Sequence, residues 1–124
     1  MATIELTIDN FEQTINDHDL VFVDFWAEWC GPCRQFGPVF EAAAEQHDDI
    51  VFGKVDADAQ QELAGHFDVR SIPTLMAIRD NVVLFSQPGA LPAHALDDLI
   101  DQIQDIDMDD VRRRIAEQTT SDSD

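Results

Sequence analysis

The chain has 124 residues and carries 26 Asp and Glu against 7 Lys and Arg, a formal net charge of −19. That length suits one domain able to bury a core without covalent staples, and a 44% apolar share that includes eight Phe and two Trp argues against general disorder. So acidic a chain lacks the basic patch that nucleic acid or an anionic membrane surface requires, which excludes both as partners. From the N-terminus, Met1 to Leu6 hold neither a basic n-region nor an apolar h-region, and no stretch nears ~18 apolar residues. A cytoplasmic protein without signal peptide or membrane span is therefore expected.

Ile4 to Leu6 starts a short edge strand, and Asp9 or Asn10 caps a short helix through Asn16. Val21 to Trp26 is a nearly continuous apolar run of the kind central parallel strands show. After Gly31-Pro32, the residues Phe36, Val39, Phe40, Ala43 and Ala44 recur at helical spacing as far as Gln46. Ile50 to Val55 reads as a second buried strand and Gln60 to His66 as a short helix. Thr74 to Ile78 and Val82 to Ser86 flank Asp80-Asn81, a hairpin signal that lacks the usual glycine. A last helix starts near Pro92, with Leu96, Leu99, Ile100 and Ile103 on one face, and continues into Asp107–Gln118. The order βαβα then ββα predicts an α/β domain with a mixed central sheet and helices on both faces. Its expected extent is 1–118, of which 106–118 is a C-terminal helical extension and 119–124 a disordered acidic tail.

The two cysteines sit three apart in Trp29-Cys30-Gly31-Pro32-Cys33, after a buried strand and at the opening of a helix. Proline is tolerated in a helix's first turn, so Pro32 marks where the helix begins. Cys30 then lies at the N-terminus and Cys33 one turn in, on the same face, within reach of disulfide geometry. The helix N-terminus favours a thiolate at Cys30. A zinc site would need a second cysteine pair or a histidine at ligand spacing, and the chain has neither. A structural disulfide closing so short a loop would constrain little. The motif therefore points to reversible dithiol–disulfide chemistry.

With that motif the chain resembles the thioredoxin family, from about Ile4 to Ile103. Trp-Cys-Gly-Pro-Cys matches the family's active-site motif. Asp24 matches its buried acid and Lys54 the lysine on the neighbouring strand. Ile72-Pro73-Thr74 matches the loop with a cis-proline facing the disulfide, and Gly89 the glycine lining the substrate groove. The resemblance implies the thioredoxin fold and a protein-disulfide reductase serving cell redox homeostasis. Cys30 would attack, Cys33 resolve and Asp24 assist proton transfer, with Lys54, Trp29, Gly31 and Pro32 in support and Ile72, Pro73 and Gly89 forming the groove. It implies no metal and no tightly bound cofactor, a monomer, and oxidised proteins as substrates. NADPH would enter only through a thioredoxin reductase, the implied electron donor.

Asp24 is the sole charge in an apolar strand, so burial would raise its pKa; a half-exposed strand position would not. Lys54 is either a salt-bridge partner or a snorkelling edge residue. Trp29 is packed or a flat contact, and its place in the motif favours contact. Pro38 removes the helix hydrogen bond to the Arg34 carbonyl and should kink the helix. His18, His47, His66 and His94 are expected on the surface. An oxidant or isomerase on the same fold, and a redox-sensing or chaperone-like binding module, are the rival functions. The Asp-rich, Lys-poor acidity also fits adaptation to high salt, where self-repulsion is screened.

Overall fold

The apolar run becomes the middle strand of a five-stranded sheet in the computed structural model, which describes residues 2–122, with side chains to 118. The elements are β1 (Thr3–Glu5), α1 (Phe11–Asp17), β2 (Leu20–Trp26), α2 (Gly31–Gln46), β3 (Val51–Asp56), α3 (Gln61–His66), β4 (Thr74–Arg79), β5 (Val82–Pro88), α4 (Ala93–Gln104) and α5 (Met108–Asp122). The sheet order is β1-β3-β2-β4-β5. β3 runs parallel to both β1 and β2, whereas β4 lies antiparallel to β2 and to β5.

The alternation of side chains along the strands divides the core in two. On one face Phe22, Phe52 and Leu75 pack under Phe36 and Phe40 of α2 and Leu96 and Ile100 of α4. On the other, Val21, Val23, Phe25 and Met76 meet Phe11 of α1 and Leu63 of α3. The Phe22 and Phe52 rings stack at 5.5 Å, and Phe40 meets Phe52 edge-on at 5.3 Å. Burying each such ring stabilises the fold by about 1.5–3 kcal/mol. Gly53 keeps β1 and β3 close, because a Cβ there would collide with the Leu6 side chain.

The hairpin forms without glycine. Asp80 and Asn81 take φ of 52° and 66° between the paired residues Arg79 and Val82, a left-handed turn that Asp and Asn tolerate. Pro38 does not end α2, which runs on to Gln46.

At the C-terminus the expected single long helix is two helices. α4 stops at Gln104, and Asp107 starts α5 by accepting the N–H groups of Asp109 and Asp110 at 3.0 and 3.2 Å. Arg79 donates to the carbonyls of Ile103, Gln104 and Ile106 at 2.9–3.1 Å, bridging the end of α4 and the turn that follows it. Arg112 pairs with Asp80 of the hairpin turn at 3.1 Å, and Met108 is buried. The helix backbone continues through Asp122, past Thr119 where a disordered tail was expected to begin. Ser123 and Asp124, the end of that tail, lie outside the described residues.

Candidate active site

β2 ends at Trp26, and a short loop carries the chain to Cys30, the N-cap of α2. Pro32 falls in the first turn, where its missing N–H removes only a donor with no intrahelical partner. Cys30 and Cys33 are joined as a disulfide, with Cα atoms 5.3 Å apart. The Cys33 N–H donates to Cys30 Sγ at 3.2 Å. Both cysteines are almost closed off from solvent, so exposure does not select the attacking sulfur. Their positions differ: only Cys30 receives a helix amide and the positive end of the dipole. A side chain at Gly31 would meet nothing within 4 Å, so this position is not set by crowding.

Facing the disulfide, Ile72–Pro73 is a cis peptide, and Cys30 Sγ lies 3.7 Å from the Ile72 carbonyl oxygen. The Gly89 N–H donates to the Pro73 carbonyl at 2.8 Å. At Gly89 a φ of +110° calls for glycine through backbone conformation, since no atom would crowd a Cβ there. Trp29 is 68% exposed, and its indole N–H donates to Asp58 at 2.8 Å. It is a presented surface and not a packed ring.

Asp24 lies mid-strand on the α2 side of the sheet and is 0% exposed, which rules out a half-exposed position. Neither carboxyl oxygen has a hydrogen-bond partner among the described residues. Burial raises its pKa from 3.8 to about 7, against the opposing pull of the Lys54 charge. Lys54 is the register partner of Asp24 on β3. It forms no ion pair within 4.0 Å among the described residues. Its Nζ instead sits 4.9 Å from the centroid of the Trp26 ring. The expected alternatives for Lys54, salt bridge or snorkelling edge residue, are thus replaced by a third arrangement.

Two clefts flank the disulfide. One of about 780 Å³ is lined by Trp26, Cys33, Arg34, Gly37, Glu41 and Lys54, among others. The other, of about 570 Å³, lies between Trp29, Asp58, Arg70 and Ile72. No local sequence pattern marks two contributors, Asp58 and the Trp26 ring. Asp58 is one acid among many in a loop, and Trp26 reads simply as the end of a strand. Among the described residues no group of three His, Cys, Asp or Glu is placed to hold a metal ion. His18, His66 and His94 are exposed and His47 half-buried.

A profile of the family described as Thioredoxin matches residues 2–102. A Streptomyces coelicolor protein named as a thioredoxin is 60% identical over 117 residues, covering 94% of this chain and 87% of its own. The chain belongs to the thioredoxin family. The Bacillus subtilis thioredoxin is 38% identical over 82% of this chain and 98% of its own. A variant thioredoxin from Halobacterium salinarum superposes with a TM-score of 0.78 at 33% identity, covering 86% of this chain and 95% of that one. Thioredoxins are thiol–disulfide oxidoreductases, and this chain carries the redox-active pair of a protein-disulfide reductase. The thioredoxin profile stops short of α5, while the Streptomyces match is long enough to reach into it.

Proposed function

We propose that this thioredoxin reduces protein disulfides in the cytoplasm as a monomer, cycling Cys30 and Cys33 between dithiol and disulfide. Electrons come from a thioredoxin reductase using NADPH. The Cys30 thiolate attacks a substrate sulfur and displaces the partner sulfur as a thiolate. Cys33 then attacks Cys30 Sγ, closing the disulfide and releasing the second substrate thiol. Asp24 takes the Cys33 proton in that step, directly or through one water. Trp29, Ile72, Pro73 and Gly89 form the surface on which an extended substrate segment lies, and Gly31 and Pro32 hold the turn that presents Cys30. No metal or tightly bound cofactor takes part.

The observation that carries this reading is the bonded cysteine pair at the N-terminus of α2, opposite the cis-proline loop. Magnitudes place the rate advantage. Lowering a thiol pKa from about 8.5 to about 7, the figure familiar for thioredoxin itself, raises the thiolate fraction at pH 7 about 15-fold. With a Brønsted slope of ~0.45, the lost nucleophilicity takes back about fivefold. The remaining threefold or so is small, so most of the advantage lies in Cys33 being held beside the mixed disulfide. NADPH-coupled reduction of a protein disulfide, run with a bacterial thioredoxin reductase, tests the proposal. The wild type should turn over and Cys30→Ser should be inactive; a wild type that consumes no NADPH would overturn it.

A further inference from the structure

Strand register places Lys54 between two carboxylates, with Glu5 of β1 on one side and Asp24 of β2 on the other. Coulomb attraction alone would bond the ammonium to one of them, and it bonds to neither. Trp26 stands two residues beyond Asp24 on the same face of β2, and its ring takes the ammonium instead. Gly37 of α2 closes over that position, since a Cβ there would lie 3.8 Å from Nζ.

The other charges around Lys54 are Glu28, Arg34 and Glu41 on the α2 side and Glu5 and Asp56 on the β1 side. Arg34 is committed to the Glu28 carbonyl at 2.9 and 3.2 Å, and Glu41 to the Thr3 hydroxyl at 3.0 Å. None of these carboxylates pairs with Lys54 among the described residues, and the contact its ammonium makes is with the indole face.

We propose that Trp26 is a positioning residue for the redox reaction: it parks the Lys54 ammonium beside the Asp24 carboxyl and not on it, leaving both carboxyl oxygens open to take a proton. An ammonium bonded directly to Asp24 would occupy those oxygens and favour the charged form. At its present distance it moderates the effect of burial and blocks nothing. The proposal rests on Asp24 as the proton acceptor of Cys33.

The test reads the titration of Asp24 from its carboxyl carbon by NMR in the full-length oxidised protein. Wild type, Trp26→Leu, Lys54→Met and the double variant are compared. Removing the ring frees Lys54 to close on Asp24, so Trp26→Leu should weaken proton binding by about threefold or more. In the Lys54→Met background the same substitution should change nothing. An equal shift in both backgrounds would mean that Trp26 acts through burial alone and would overturn the proposal, as would no shift in either. Should Trp26→Leu fail to fold, Trp26→Phe keeps a weaker ring and should give a smaller shift, again only when Lys54 is present. The role of Asp24 is tested separately. An Asp24→Asn protein that resolves mixed disulfides at the wild-type rate removes that role and leaves the titration result standing.

Discussion

Asp24 was legible as the one charge inside an apolar strand, and its burial has consequences for stability as well as chemistry. Its folded pKa of about 7 stands above the ordinary 3.8, so the native state binds this proton more tightly than the unfolded chain. Stability therefore falls as pH rises from about 4 to about 7, because the unfolded carboxyl ionises first, and the full penalty persists above pH 7. Asp24→Asn should be more stable than wild type by up to about 4 kcal/mol at pH 8, with the difference fading toward pH 4. Denaturant melts at the two pH values check this, and equal stabilities at pH 8 would contradict it. The same variant should slow resolution of a mixed disulfide by about a hundredfold at neutral pH, measured by stopped flow. Asp58 and Trp26 were not legible. A side chain's role as a hydrogen-bond acceptor 29 residues away, or as a face for a lysine on the next strand, is settled by tertiary placement and leaves no local pattern.

At the level of elements, hydrophobic periodicity located the strands and the α2 and α4 helices to within a residue or two, most directly in β2, β4, α2 and α4, which bury long apolar runs or faces. It misjudged the C-terminus, where α4 and α5 are separate. The break at 105–107 depends on Arg79, a strand residue 24 positions away from Ile103, whose guanidinium bridges the carbonyls there. No window along the helix sequence contains that partner. Arg79→Ala should strip those acceptors and cost about 2 kcal/mol, lowering Tm by several degrees. Because Arg79 lies at the end of β4 away from Pro73, protein-disulfide reduction at a temperature where the variant stays folded should be unchanged. An unaltered Tm would show that Arg79 does not hold this junction.

For the whole molecule, charge is divided by position. The two clefts beside the disulfide each balance: Arg34 and Lys54 offset Glu28 and Glu41 in one, and Arg70 offsets Asp58 in the other. The chain as a whole stands at −19. The whole-chain count does not show this division, because only the fold brings Arg34 and Lys54, from different elements, into one cleft. Acids elsewhere outnumber any cations available to pair with them, so self-repulsion opposes folding until salt screens it. Tm should rise as NaCl goes from about 0.01 M to about 1 M, where the screening length falls from ~30 to ~3 Å. Substrate reduction should change little over the same range if substrates dock at these two clefts, whose lining charges balance. A collapse of activity with salt would show that charge drives docking.

Trapping of mixed disulfides distinguishes the sulfur that attacks, Cys30, from the one that resolves, Cys33. Reduced Cys33→Ser and Cys30→Ser proteins are mixed with a disulfide-bonded protein substrate, quenched with acid and separated without reductant. Cys33→Ser should accumulate a covalent complex through Cys30, released by dithiothreitol, and Cys30→Ser should form none. A complex formed by Cys30→Ser and not by Cys33→Ser would contradict the assignment.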